Sequence, residues 1–342
     1  MCPRQSSTQR TLRWGLLSTA HINRSVLDPL SRSRRSDLVA VASRDRERAR
    51  SYAERHAIPR AYGTYEELLE DPEIDVVYIS LPNHLHCQWT VAAATAGKHV
   101  LCEKPLVLSL EEMSRVERAA ATRTVTIFEA FMYLHHPQSL HLQAWVRAGE
   151  LGRLETVRSH FGFHLPPESG NVRLRPEMGG GSLWDVGVYP VSLSVVLADA
   201  GAPVEVFGTR RDGDSGIDVG FEGLLRFANG VVAQVSSSFR GPLSWGATLS
   251  GSEAVVTVDG PWKPGFEGAV SRVAIRRRAD ATETLRFCDP DPYACEIAAM
   301  EACVLDGADP VVPLRLSRQI LATVLALYRS AATGAPVFPA AV

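Results

Sequence analysis

The sequence predicts an α/β domain with a parallel sheet, followed by an α+β domain built on one large, open-faced, mostly antiparallel sheet. Three observations carry that expectation. The chain has 342 residues, longer than a typical single domain and suited to two. Its first third alternates short apolar runs with helix-like segments, the rhythm of βα units. Beyond about residue 150, long alternating strands follow one another with few helices between them.

Taken in order, residues 12–15, 38–42, 75–80, 100–102 and 125–128 read as strands. Between them, residues 45–56, 65–69, 88–96 and 110–121 read as amphipathic or polar helices. Lys98-His99 after Gly97 has the form of a helix stop followed by a strand start. In the second part, strands are expected at 154–163, 204–209, 220–227, 231–239, 247–249, 254–258 and 270–277. Turn signals such as Asn229-Gly230 and Asp259-Gly260-Pro261 divide them. A closing helix over about 317–332 ends at Gly334. Residues 1–10 read as a disordered leader without the apolar stretch of a signal peptide, 11–130 as the first domain and 131–342 as the second.

Composition narrows the function classes. An apolar fraction of 45% and a charged fraction of 22% are ordinary for a soluble enzyme. A net charge of −2 gives no footprint for nucleic acid or an anionic membrane, and no apolar run approaches a spanning helix. Six scattered cysteines without C-x-x-C spacing fit a reducing cytoplasm. The pairs His84, His86 and His135, His136 lack acidic or thiolate partners at ligand spacing, so no metal site is expected.

Gly15-Leu16-Leu17-Ser18-Thr19-Ala20-His21-Ile22 falls between a strand and a helix, where a dinucleotide loop lies. Glycine permits the tight turn, and small residues let backbone N–H groups approach a pyrophosphate at a helix N-terminus. The fit to G-x-G-x-x-G is imperfect, because Ser18 and Ala20 stand at the later glycine positions; alone, the stretch suits an ordinary turn equally well. At the end of the second strand, Ser43-Arg44 stand where NAD-binding chains carry an acid for the ribose 2′-hydroxyl. A hydroxyl and a guanidinium suit a 2′-phosphate, so NADP(H) is expected over NAD(H). Arg46, Arg48 and Arg50 also read as a solvated basic helix face.

Of the 36 basic residues only Lys98, Lys104 and Lys263 are lysines. Arginine keeps its proton, whereas a lysine responds to its surroundings. Glu103-Lys104-Pro105 therefore places a tunable cation at the end of an apolar strand, downstream of the nucleotide loop, and Lys104 reads as catalytic. In Gly179-Gly180-Gly181-Ser182-Leu183-Trp184-Asp185-Val186-Gly187-Val188-Tyr189-Pro190, Ser182 can cap a helix on which Asp185 and Tyr189 share one face. Pro190 is expected to kink that helix or begin a new segment. A core tyrosine and a first-turn aspartate would explain the same residues structurally.

Together, Trp14 to Ile22, Leu81-Pro82-Asn83-His84-Leu85-His86, Ala96-Gly97-Lys98-His99-Val100, Glu103-Lys104-Pro105 and Gly179 to Pro190 resemble the glucose–fructose oxidoreductase / inositol dehydrogenase (Gfo/Idh/MocA) family. The match runs over nearly the whole chain. Glu129-Ala130-Phe131-Met132-Tyr133 and Asp185-x-Gly187-x-Tyr189 resemble the branch holding dihydrodiol dehydrogenase, NADP xylose dehydrogenase and nucleotide-sugar 3-ketoreductases. Inositol dehydrogenases usually carry histidine at the Tyr189 position, which counts against an inositol substrate.

The resemblance implies a Rossmann domain with a parallel sheet, an open-faced sheet domain after it, and an active site between them. It implies hydride transfer between NADP(H) and a carbonyl or secondary alcohol of a sugar or cyclic polyol. Tyr189 would act as general acid/base, Lys104 would lower its pKa and polarise the substrate oxygen, and Asp185 would orient the hydroxyl or Lys104. Leu17, Thr19, His21 and Ile22 join the loop contacts, with Leu81, Pro82, Asn83, His86, Glu103 and Arg175 on the nicotinamide side. Met132, Phe163 and Arg173 would face the substrate. A homodimer or homotetramer through the second sheet is expected, because so few helices leave one sheet face to bury. Two other functions suit the same fold. A non-catalytic dinucleotide-binding regulator could dispense with Lys104 and Tyr189. An NAD-dependent glycosidase is disfavoured by Ser43-Arg44.

Overall fold

The computed structural model describes residues 10–278 and 282–339; the leader expected at 1–10 lies, except for Arg10, outside them. Six strands, β1 (Leu12–Leu17), β2 (Ser36–Ala42), β3 (Arg60–Tyr62), β4 (Val76–Ile79), β5 (His99–Cys102) and β6 (Ile127–Glu129), form a parallel sheet in the order β3-β2-β1-β4-β5-β6. Their apolar runs are buried because helices cover both sheet faces: α1 (Arg24–Arg32), α2 (Arg46–Arg55), α3 (Tyr65–Glu70), α4 (His86–Thr95) and α5 (Leu110–Arg123). The order reverses at β1, which pairs with both β2 and β4. Open α/β sheets bind ligands at such a switch point, beyond the carboxyl ends of the strands. Ser18, Ser43, Ser80 and Lys104 all lie there.

After α6 (Pro137–Ala148) come β7 (Leu154–Gly162), α7 (Val188–Ala198), β8 (Glu205–Asp212), β9 (Asp218–Arg226), β10 (Val232–Ser238), β11 (Ser244–Gly251), β12 (Ala254–Val258), β13 (Ser271–Arg277) and β14 (Thr282–Phe287). The eight strands form one sheet, ordered β14-β13-β12-β11-β7-β10-β9-β8. Each described pair is antiparallel except β7 with β10. Alternation separates the faces: Val206, Leu225 and Ala233 are buried toward the helices, while Phe207 and Leu224 are 38% and 45% exposed on the other side.

The chain ends with α8 (Pro292–Asp306) and α9 (Leu314–Thr333), both of which return to the first domain. α8 lies on α1, where Glu301 accepts hydrogen bonds from the Ser33 and Ser36 hydroxyls and Asp306 pairs with Arg35. α9 packs on β8 and, from its other side, on α5 and β6, with Arg318 bound to Glu117 and Ser114. One buried apolar cluster consequently runs through both sheets.

The expected strands and helices are present within a few residues. The elements that sequence reading left unassigned are α1, β3, α6, β14 and α8. β3 has three residues, too few for a period, and α8 buries residues at Tyr293, Ile297, Met300 and Glu301 amid small side chains, which blurs its stripe. One helical path, Pro176–Ala198, has the length and hydropathy of a membrane span, and 89% of its apolar window is buried inside the protein.

Candidate active site

At the end of β1 the glycine has a different task from the one expected. Gly15 lies inside the strand, and a Cβ there would stand 2.9 Å from a Leu68 methyl, so its absence lets α3 pack on the sheet. The turn falls on Ser18, whose φ of 127° is a conformation that L-residues rarely adopt. Hydrogen bonds hold it: Ser18 Oγ lies 2.7 Å from Ser80 Oγ and accepts from Ala20 N–H, while Asn23 Nδ2 donates to the Ser18 carbonyl at 2.8 Å. Thr19, Ala20, His21 and Ile22 then lead through a short 3-10 turn into α1.

Ser43 is buried at the end of β2, with its N–H on the Tyr62 carbonyl, and Arg44 beyond it is exposed beside the Tyr65 hydroxyl. The next acid, Asp45, is already used: it caps α2 by accepting from Glu47 and Arg48 N–H at 3.0 and 3.1 Å. Arg46 pairs with Glu67 and Arg50 with Glu47. Among the described residues Arg44 and Arg48 have no carboxylate partner. A free guanidinium beside an engaged aspartate suits a phosphate better than a ribose hydroxyl.

Lys104 closes β5 and reaches across to the second domain. Its Nζ donates to the Asp185 carbonyl at 2.7 Å and to Asp185 Oδ1 at 3.1 Å. Arg173 Nε donates to Oδ2 of the same carboxylate at 2.7 Å. The Lys104 and Asp185 side chains are only 10% and 11% exposed. Burial pushes the Asp185 carboxyl up, but Lys104 and Arg173 outweigh it and hold the pKa below the ordinary aspartate value. Lys98 has a structural task instead, donating to the Asp71 and Ile74 carbonyls at 2.6 and 2.9 Å.

Asp185 sits in a π-helical turn, Leu183–Gly187, which passes directly into α7. Ser182 is not its cap. The residue is already helical, and its hydroxyl donates to Asp218, which takes the Leu183 N–H at 2.7 Å and so supplies the capping acceptor. Gly181, at φ 126°, has to be glycine because a Cβ would fall 2.3 Å from the Asp218 carboxylate. Pro190 starts no new segment: it is the third residue of α7, in a helical path continuous with the π-helical turn.

Tyr189 follows Asp185 on this path, and the Lys104 ammonium lies 5.4 Å from its ring centre. The ring is buried among Phe131, Tyr133, Phe161 and Trp262, with centroids 5.5 to 5.9 Å away. Its hydroxyl lies 3.8 Å from Met132 Sδ. Here the expected electrostatics need correction. Burial, reinforced by Tyr293, Glu103, Asp185 and Glu296, pushes the Tyr189 phenol well above its ordinary pKa. Two of the Lys104 N–H donors go to Asp185, and the Tyr189 hydroxyl lies against Met132 Sδ.

The remaining expected residues divide. Glu103 accepts from Tyr78 hydroxyl at 2.6 Å, and burial raises its pKa against the opposing charge of Lys104. Asn83 Nδ2 donates to the Gly179 carbonyl at 2.9 Å, tying the Leu81-Pro82-Asn83 turn to the second domain. His86 does not reach the cleft surface. It is fully buried, with its ring nitrogens 2.7 Å from the Leu81 and Pro105 carbonyls, and burial pushes its pKa down to about 4. It positions both loops from behind. Arg175 is exposed on the same loop as Arg173, and Phe163 packs against Phe239 at 5.3 Å. Sequence reading missed Tyr78, Phe161, Trp262 and Lys263, which carry no local motif and meet the site only through the fold.

Two family profiles match the chain. "Oxidoreductase family, NAD-binding Rossmann fold" (GFO/IDH/MocA) covers residues 12–131, and "GFO/IDH/MocA C-terminal domain" covers 139–257. The D-xylose 1-dehydrogenase (NADP(+)) 2 of Haloferax volcanii is 38% identical over 331 residues, 95% of this chain and 99% of that one. A dTDP-3,4-didehydro-2,6-dideoxy-α-D-glucose 3-reductase of Streptomyces violaceoruber is 34% identical, with 87% of each chain covered. The crystal structure of a 3-ketoreductase from Actinomadura kijaniata in complex with NADP and TDP-benzene superposes with a TM-score of 0.86 at 29% identity, covering 94% of this chain and 98% of that one.

Proposed function

Because this chain belongs to the Gfo/Idh/MocA oxidoreductase family, we propose that it transfers hydride between NADP(H) and a carbonyl or secondary alcohol of a sugar or related cyclic polyol. The observation that carries this reading is the contact of Lys104 with Asp185 beside the Tyr189 ring, where the first domain's strand ends meet the second domain. The loop 15–22, Ser43, Arg44 and the 81–83 turn would hold the cofactor, which supplies or accepts the hydride when bound. Arg44, left without a carboxylate and flanked by an engaged Asp45, supports NADP(H) over NAD(H).

The residues divide the proton work. An ammonium has three N–H donors, and Lys104 spends two on Asp185, leaving one for a substrate oxygen. Asp185, fixed by Arg173, aims that donor. Tyr189, held as the neutral phenol by burial, donates the proton to an oxygen gaining charge during reduction; in oxidation it has to accept one. The aromatic wall around Tyr189 excludes water from the reacting centre.

The second sheet's exposed face supports a homodimer or homotetramer. It carries a groove of about 680 Å³ whose lining includes Arg158, His160, Phe207, Glu222, Leu224 and Trp245. Sedimentation velocity would test it, and a monomer at micromolar concentration would refute it. Free thiols at Cys87, Cys102, Cys288, Cys295 and Cys303 fit a cytoplasmic setting. The function itself is tested by NADPH and NADP⁺ absorbance assays against aldoses, ketosugars, nucleotide-linked ketosugars and dihydrodiols. No turnover of any class would overturn it.

A further inference from the structure

The anchor beneath Asp185 is built more heavily than a helix start needs. Asp218, the first residue of β9, is 1% exposed. Its Oδ2 accepts from the Ser182 hydroxyl and the Leu183 N–H, both at 2.7 Å, and its Oδ1 from the Tyr328 hydroxyl at 2.7 Å. Ser237, on β10, gives its own proton to Ser182 Oγ at 2.9 Å. Tyr328, on α9, also packs 5.6 Å from the Trp184 ring. Two strands of the second sheet and the closing helix therefore converge on Ser182, Leu183 and Trp184, the residues immediately before Asp185.

A single hydroxyl in the turn itself suffices to cap most helices. Here the acceptor is a buried carboxylate from a distant strand. Its three donors are neutral, and no cation is bonded to it among the described residues. Burying a charge in this way is costly, and burial pushes the Asp218 carboxyl up against the opposing bonds from Tyr328, Leu183 and Ser182. The next residues of the chain give the arrangement a purpose. One of the two Lys104 bonds goes to the main-chain carbonyl of Asp185, at 2.7 Å, so no change of rotamer restores it once the backbone moves. Asp185 lies in the first turn of its helical path, where the N–H groups have no partners within the helix. The three glycines at 179–181 have no side chains with which to brace that turn.

We propose that Asp218 is a positioning residue for the reaction: by holding the start of the π-helical turn to β9 and α9, it sets where Asp185 presents the Lys104 ammonium to substrate. Only the kinetic arm of its test rests on the proposed hydride transfer.

Lys104 can be observed directly, because the chain has only three lysines. Protein carrying lysine labelled with carbon-13 at Cε gives three side-chain NMR signals, and the Lys104 signal is the one missing from Lys104→Met. Asp218→Ala is expected to move that signal while Lys98, held by two carbonyls, stays in place. It should also lower kcat about tenfold or more, with KM for NADPH little changed. Asp218→Asn, whose amide oxygen keeps both bonds to the helix start, is expected to retain the signal position and most of kcat. Should Asp218→Ala fail to fold, Tyr328→Phe carries the test: it keeps the ring, removes one bond to Asp218, and is expected to move the same signal by less. An unmoved Lys104 signal in the folded variant overturns the proposal, and so does a moved signal with wild-type kcat. If the wild type turns over no substrate, a moved signal still supports the positioning, and it is the hydride-transfer reading that fails.

Discussion

Lys104→Met separates the charge of the lysine from its packing. Methionine fills nearly the same volume but abolishes the 2.7 and 3.1 Å hydrogen bonds to Asp185. Stripping one partner from a buried ion pair costs about 3–5 kcal/mol when the other is left alone. Asp185 is not left alone, because Arg173 stays 2.7 Å from its second oxygen. The stability loss should therefore approach that of a charge-assisted hydrogen bond, about 1.5–3 kcal/mol, and lower the melting temperature by several degrees. Turnover should fall further. The third N–H, the one aimed at the substrate oxygen, contributes only as charge develops, and its loss is expected to cost roughly 10²-fold or more in kcat. The assay pairs NADPH oxidation kinetics with NADPH binding followed by fluorescence and with thermal unfolding. Cofactor affinity should change little, since the bonds removed are to Asp185. Near-normal kcat together with the predicted loss of melting temperature would refute the reasoning and leave Lys104 a strut between domains.

Tyr189→Phe should abolish most activity, and the wild-type pH profiles should follow the raised phenol pKa: reduction flat through neutrality and falling only in alkali, oxidation climbing throughout that range. A wild-type oxidation limb that levels off below neutral pH would contradict the raised pKa, and a Phe variant with normal turnover would remove Tyr189 from the chemistry. Arg44→Asp should weaken NADP(H) by about 1–3 kcal/mol while sparing NAD(H), as read by titration; an unchanged preference would sink that assignment. Glu129 is buried, accepts from Leu106 N–H at 2.9 Å, and is pushed by burial up to about 7. The native state then holds a proton that the unfolded chain has released, so stability falls as pH rises from about 4.5 to about 7. Glu129→Gln should accordingly stabilise by up to about 3 kcal/mol at pH 8 and by little at pH 4, which denaturant unfolding at the two pH values would check.

The parts legible in the sequence were those with a local period or a compositional anomaly. Alternating apolar runs marked both sheets, and a lone lysine after β5 marked the site because arginine filled almost every other cationic position. The four-residue spacing from Asp185 to Tyr189 brought both side chains to Lys104, although through a π-helical turn that no spacing rule foretells. What stayed hidden depended on contacts between distant residues. Ser182 has the chemistry of a cap, but Asp218, on β9, takes the helix N–H first. Ser18 looks like an ordinary polar substitution for glycine until its φ shows the strain that Ser80 and Asn23 hold in place. The sign of the Tyr189 shift was misread for the same reason, since burial raises it and Glu103, after β5, and Tyr293 and Glu296, both on α8, add to that from afar.

The return of α8 and α9 changes what counts as a module in this protein. By chain order the first domain ends near β6, yet part of its covering is supplied by helices that follow the second sheet, through Glu301 on Ser33 and Ser36 and Arg318 on Glu117. A fragment cut after β6 would expose the surfaces of α1 and α5 that these helices seal. A chimera that borrows a relative's second sheet to change substrate should therefore splice twice, before β7 and again before α8, keeping 292–333 native. The natural exchange unit is the inserted sheet, and the chain's last helices belong, energetically, to both of its halves.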